Sequence, residues 1–209
     1  MVSDWALVGA GALALTYGVI WADAEPSWPR SLCKTLSVAL LALASAMMGA
    51  PALITAGLAL GALGDLFLSR SGQGAFLAGM AAFGLGHLAY AVVFWSAGAE
   101  LSLFWIVGLG ALATSTEFWL APHTGALRWP VRAYVVIIAL MALAASTLGM
   151  GLAAAGAALF LLSDLLLSLD LFVLAQNATP RPMLRRTLWA AYWGGQALIL
   201  LGMVPPALS

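Results

Sequence analysis

The sequence predicts an all-α integral membrane protein, a single bundle of eight transmembrane helices, and three observations carry the prediction. Hydrophobic residues make up 64% of the 209 residues and charged residues 8%, against roughly a quarter charged in soluble domains. Apolar runs of bilayer length recur from one end of the chain to the other, with short connections between them. All eight Lys and Arg fall on one side of the topology those runs define.

A bilayer core takes about 20 mostly apolar residues per helix, fewer where the membrane thins. The first run, Trp5–Trp21, is followed by Ala22-Asp23-Ala24, a small-x-small pattern like a signal peptidase site. A signal peptide wants a basic start, and Met1-Val2-Ser3-Asp4 has none, so a retained first helix is expected. The second run, Leu32–Gly49, follows Trp28-Pro29 and has Lys34 in its first turn. A Gly-Ala-Pro step leads into the third, Pro51–Ser69, with Asp65 close to its end. The fourth, Phe76–Ala97, holds His87 and Tyr90 near its middle. The fifth, Leu101–Ala121, carries Glu117, for which a structural or interfacial place is expected. The sixth, Val131–Leu148, follows Trp129-Pro130 and has Tyr134 in its first turns. The seventh, Leu152–Leu171, contains Asp164 and Asp170, and the eighth, Leu184–Val204, contains Tyr192 and Gln196. Trp28, Trp129 and Trp189 are expected to be interfacial anchors.

The connections after runs one, three, five and seven hold Arg30 and Lys34, Arg70, Arg128 and Arg132, and Arg181, Arg185 and Arg186. The opposite side has only Asp4 and Glu100. The positive-inside rule then puts both termini outside the cytoplasm, and the short loops suit a bacterial inner membrane. Leu63-Gly64-Asp65-Leu66-Phe67-Leu68-Ser69 is echoed by Leu162-Ser163-Asp164-Leu165-Leu166-Leu167-Ser168. Trp28-Pro29 and Trp129-Pro130 recur at nearly the same offset, which suggests parallel four-helix repeats over 1–98 and 99–209.

Zero formal net charge gives no reason to expect nucleic acid. A single cysteine, Cys33, excludes an internal disulfide, and with only two histidines no metal or other cofactor is expected. An ionisable group at mid-bilayer costs at least roughly 2.5–3.5 kcal/mol, so such groups mark function by default. Asp164 lies about 18 Å along a roughly 30 Å core, too deep to snorkel well, whereas Lys34, Asp170 and Glu117 are near the interface. Two aspartates on facing helices could share a site in which one carboxyl stays protonated beside an ionised one. That pair suits chemistry in which one proton is given and one water activated. The bland alternative is that each aspartate only joins helices, with Lys34 as a partner.

Four stretches are similar to the YhhN-type family of multi-span membrane lysoplasmalogenases. They are Gly64-Asp65-Leu66-Phe67-Leu68, then Phe76-Leu77-Ala78-Gly79-Met80-Ala81-Ala82-Phe83 with His87-Leu88-Ala89-Tyr90, then Gly156-Ala157-Ala158-Leu159-Phe160-Leu161-Leu162-Ser163-Asp164, and Ala191-Tyr192-Trp193-Gly194-Gly195-Gln196-Ala197-Leu198-Ile199. With Lys34 and Tyr134 the likeness covers residues 30 to 200. It departs at Thr35, where the family often has Pro after the Lys. The resemblance implies hydrolysis of the vinyl ether bond of a lysoplasmalogen held in the membrane, giving a fatty aldehyde and glycerophosphoethanolamine or glycerophosphocholine. It implies Asp65 and Asp164 as the catalytic pair, with Lys34, His87, Tyr90, Tyr134, Tyr192 and Gln196 binding substrate or supporting the site. The substrate phosphate is expected near Lys34, Arg30 or Arg132.

Two rival readings have distinct signatures. An intramembrane aspartyl protease needs Gly-x-Gly-Asp and Tyr-Asp, whereas here the residues are Ala62-Leu63-Gly64-Asp65 and Ser163-Asp164. Its Pro-Ala-Leu motif recurs only at 51–53, ahead of both aspartates, and at 206–208, past the last run. A small transporter would use parallel repeats and intramembrane carboxylates equally well. It would need sealed vesicles to act, whereas an enzyme turns over micellar substrate.

Overall fold

The computed structural model describes residues 2–175 and 180–205, so the second Pro-Ala-Leu segment, at 206–208, lies outside the described residues. Among the described residues eight α-helices follow one another: α1 (Val2–Thr16), α2 (Trp28–Met47), α3 (Ala52–Leu68), α4 (Gln73–Ala97), α5 (Leu103–Trp119), α6 (Arg128–Ser146), α7 (Leu152–Ser168) and α8 (Pro182–Met203). No strand occurs among the described residues. Among the described residues six segments are long and apolar enough to cross a membrane, those built on α1, α2, α4, α5, α6 and α7. Helix α3, with 17 residues, is a shorter apolar helix. Helix α8 is not among the six; it has 22 residues but carries Arg185, Arg186, Tyr192 and Gln196.

Chain neighbours pack together: α1 on α2, α2 on α3, α3 on α4, and α7 on α8. Helix α4 meets α6, α6 meets α7, and α8 returns to touch α2 and α3, so these six helices close a ring. Helix α5 leans on α6 outside it. Two seams are built from small residues. A Cβ at Gly156 would stand 2.6 Å from the Gly195 carbonyl oxygen, and one at Gly195 would stand 2.8 Å from that of Gly156. On α3 and α4, a Cβ at Gly86 would lie 3.1 Å from the Gly57 carbonyl oxygen, and one at Gly79 would lie 3.2 Å from that of Gly64. Such close backbone approach is how helices gain contact area where lipid offers no hydrophobic drive.

Two further local features shape the end of the bundle where α1, α3 and α7 finish and α2, α4 and α8 begin. Ser27 caps α2 by accepting a hydrogen bond from the Arg30 amide, with Pro29 in the first turn. Helices α1 and α7 each widen into a π-helical turn, Tyr17–Trp21 and Leu169–Val173. Turns of this kind are rare and gather at functional sites.

Trp28 and Trp129 are exposed, as interfacial anchors should be, but Trp189 is not. It is 4% exposed, its Nε1–H donates to the Ala14 carbonyl at 2.9 Å, and its ring packs on Tyr17 and Tyr192. Its position about two turns inside α8, facing α1, turns an expected anchor into core.

Candidate active site

Helical periodicity puts the polar residues on facing stripes. On α4 the stripe is Phe76, Met80, Phe83, His87, Tyr90 and Phe94; on α8 it is Arg185, Trp189, Tyr192, Gln196 and Ile199. Helix α7 offers Phe160, Asp164 and Leu167 at the same spacing, and Leu171 follows in the π-turn.

Asp164 forms one cluster. Its Oδ2 accepts a hydrogen bond from the Tyr134 hydroxyl at 2.9 Å and lies 3.3 Å from His87 Nε2. His87 Nε2 is also 3.0 Å from the Tyr134 oxygen. Because that hydroxyl already donates to the carboxylate, both neighbours of Nε2 are acceptors, and Nε2 carries the ring proton. Nδ1 of His87 is buried and has no hydrogen-bond partner among the described residues. Oδ1 of Asp164 has no hydrogen-bond partner among the described residues, and the side chain keeps 13% of its surface exposed.

Asp65 forms a second cluster and is fully buried. Tyr192 donates to its Oδ2 at 2.8 Å, and Lys34 Nζ lies 2.8 Å from Oδ1. Lys34 is thus the counter-charge of the buried carboxylate. The ammonium also lies 5.9 and 5.8 Å from the Trp189 and Tyr192 ring centres. Tyr90 donates to Gln196 Oε1 at 2.5 Å, and both are buried. Helix α3 makes room for these groups. A Cβ at Gly61 would sit 2.6 Å from Gln196 Nε2, and one at Gly64 would sit 2.6 Å from the Phe83 ring.

Among the described residues no hydrogen bond or ion pair joins the two aspartates. Between the clusters stand Phe83 and Phe160, each edge-on to the other and to Tyr192, with Phe160 also against His87 at 4.5 Å. The eight residues singled out from the sequence therefore fall into two ion-bearing groups and one neutral pair, linked by aromatic rings. Sequence reasoning gave Phe83 and Phe160 no role. Their signal was present, since each lies four residues before His87 or Asp164.

Several hollows border the clusters, among them a crevice of about 40 Å³ on the α5 side that touches Asp164 and Tyr134. A cavity of about 420 Å³ at the basic end is walled by both π-turns and the ends of α2, α3 and α8, and includes Glu25, Arg30, Lys34 and Arg185. Through Leu68, Phe76, Leu167 and Leu171 it shares walls with a narrow crevice of about 50 Å³ that reaches Asp164 and Tyr134. That crevice in turn shares Met80 and Tyr134 with an apolar groove of about 410 Å³ between α4 and α6. Arg132 lines none of these hollows. It is held by Glu117, which Arg128 also approaches at 3.9 Å, and its guanidinium covers Trp129. Glu117 thus pins the start of α6 to the end of α5. Arg185, in the cavity wall, is the cation that sequence reasoning did not single out. Among the described residues no group of three or more His, Cys, Asp or Glu could hold a metal ion.

Residues 29–203 match the YhhN family, nearly the whole of the helical bundle. The chain belongs to the YhhN family. Lysoplasmalogenase TMEM86A of Bos taurus is 33% identical over 210 residues, covering 90% of this chain and 84% of that protein. Lysoplasmalogenase TMEM86A of Homo sapiens is 30% identical over 208 residues, with the same shares. No solved structure matches. The matched family region begins at Pro29, one residue ahead of Arg30, and takes in every member of both clusters.

Proposed function

We propose that this YhhN-family protein is a membrane-embedded lysoplasmalogenase, hydrolysing the vinyl ether bond of an alkenyl glycerophospholipid to a fatty aldehyde and a glycerophosphoalcohol. The observation that carries the reading is a carboxyl group, that of Asp164, set in an apolar crevice between a charged cavity and a lateral groove, in a chain related to two lysoplasmalogenases. An alkenyl lysophospholipid has that same order of parts: polar head, vinyl ether, aliphatic tail. All eight helices are taken to span the bilayer, with the short α3 at a thinned region, the basic end cytoplasmic, and the substrate drawn from that leaflet.

Vinyl ether hydrolysis begins at the alkene carbon remote from oxygen. Protonated Asp164 Oδ1 gives its proton there, the C=C electrons form the new C–H bond, and the adjacent carbon becomes an oxocarbenium ion. Asp164, now ionised, faces that cation, with Tyr134 and His87 Nε2 holding its Oδ2 so that Oδ1 stays aimed at the crevice. Water adds to the cationic carbon and its lost proton returns to Asp164. The hemiacetal then collapses as its hydroxyl proton passes to the departing glycerol oxygen, leaving aldehyde and alcohol. Asp65 contributes from behind: it anchors Lys34 in the wall of the charged cavity and serves as a positioning residue.

The test is fatty aldehyde release from an alkenyl lysophospholipid by purified protein in detergent. Asp164→Asn, which keeps size but cannot cycle a proton, is expected to lower release at least a thousandfold, as loss of acid–base catalysis and of cation stabilisation together require. Full activity in folded Asp164→Asn would discard the assigned acid. Absence of release from any alkenyl lysolipid in the parent protein would discard the hydrolase reading.

A further inference from the structure

The wall of the basic-end cavity has four charged side chains besides Lys34, namely Glu25, Arg30, Asp170 and Arg185, with Arg181 beside it on Asp170. Most are already matched. Lys34 is taken by Asp65, and Asp170 by Arg181 and Arg185, both at 3.1 Å. Two are not. Arg30 donates Nε to the Trp21 carbonyl at 2.9 Å and lies over the Tyr17 ring, and its two terminal nitrogens have no partner among the described residues. Glu25, exposed in the connection before α2, has neither an ion pair nor a hydrogen bond among the described residues. The two share a cavity yet do not pair with each other. A cavity with one free cation and one free anion, held apart, is complementary to a zwitterion and not to a simple anion.

We propose that this cavity reads the head group of a zwitterionic lysophospholipid, Arg30 taking the phosphate and Glu25 the ammonium of an ethanolamine or choline head. Lys34, in the cavity wall and tethered by Asp65, adds positive potential on the phosphate side. The assignment rests on the lysolipid reading above, and it adds a specificity-determining residue, Glu25. Preference for a phosphoethanolamine head over a bare phosphate head comes from that carboxylate, because the phosphate side is common to both. The Ser27 cap and Pro29 fix the start of α2, so Arg30 and Lys34, one turn apart, present their charges together. The π-turn at Tyr17–Trp21 supplies both the carbonyl and the ring that orient Arg30.

The experiment separates head-group recognition from turnover by using saturated alkyl lysophospholipids, which lack the vinyl ether and cannot be cleaved there. Calorimetry in detergent compares the Kd for a phosphoethanolamine head with that for a phosphate head. The parent protein is expected to favour phosphoethanolamine, and Glu25→Gln to shrink the ratio of the two affinities about fivefold to tenfold. Glu25→Lys should invert the preference, Glu25→Asp should restore most of it, and Arg30→Gln should weaken both lipids. A ratio that ignores Glu25→Gln and Glu25→Lys, in variants with parental melting temperature, overturns the assignment, as does failure of the parent to bind either lipid. A ratio that follows Glu25 in a protein that never releases aldehyde overturns the hydrolase reading and keeps this one. Aldehyde release with a ratio indifferent to Glu25 does the reverse.

Discussion

At the scale of single residues, the two aspartates do different physical work. Asp65 is sealed in the bundle with Lys34 as its counter-charge, and breaking such a pair leaves a buried ion uncompensated at a cost of about 3–5 kcal/mol. Lys34→Met is therefore expected to lower the melting temperature sharply, whereas Lys34→Met with Asp65→Leu recovers much of it without recovering aldehyde release. A double variant no more stable than the single one would mean that the ion pair is not the source of the loss. Asp164 faces the crevice, and its aim depends on Tyr134. Tyr134→Phe removes one hydrogen bond to a charged group, and a tenfold to hundredfold fall in kcat, with KM little changed, is the expected result in steady-state assays. A KM effect alone would place Tyr134 in tail binding instead.

At the scale of helices, the α7–α8 seam fixes where Asp164 and Tyr192 stand relative to each other. Gly156 and Gly195 touch backbone to backbone, so no side chain can yield when a methyl is added. Gly156→Ala should cost about 1–3 kcal/mol by overpacking and push α7 away from α8, lowering both melting temperature and activity. Gly194 is the built-in comparison: a Cβ there meets only Leu159, at an ordinary 3.9 Å, so Gly194→Ala is expected to be silent in both assays. Equal losses in the two variants would remove the seam argument. The α3 stripe acts differently, because Gly57, Gly61 and Gly64 face side chains of Tyr90, Gln196 with Tyr192, and Phe83. It is a mould for the site more than a seam.

At the scale of the whole molecule, the basic residues gather at the end where α2, α4, α6 and α8 begin. The proposed orientation predicts that a lone cysteine at position 102, introduced as Ser102→Cys in Cys33→Ser protein, is labelled by an impermeant maleimide added to intact cells. Ser71→Cys should be labelled only after the cells are opened. The opposite pattern would invert the topology and put the head-group cavity on the outer face.

Composition and apolar run length were enough to determine the helical, membrane-type class, because a bilayer imposes length and polarity on each segment separately. The positions of His87, Tyr134, Asp164, Lys34, Asp65 and Tyr192 were legible too, since ionisable or hydroxyl-bearing residues inside apolar helices are rare enough to stand out. Family membership followed from the order of those motifs. Partnership was not legible. Which polar group meets which depends on helix rotation and crossing, set by glycine seams between segments far apart in sequence. The tertiary structure therefore decided that Asp65 goes with Lys34 and Tyr192, that Asp164 goes with His87 and Tyr134, and that aromatic rings stand between them. It also decided that Trp189 is core, that Arg132 belongs to Glu117, and that Glu25 and Arg30 share a cavity without pairing. Local sequence reports what each helix carries; packing alone reports what those groups face.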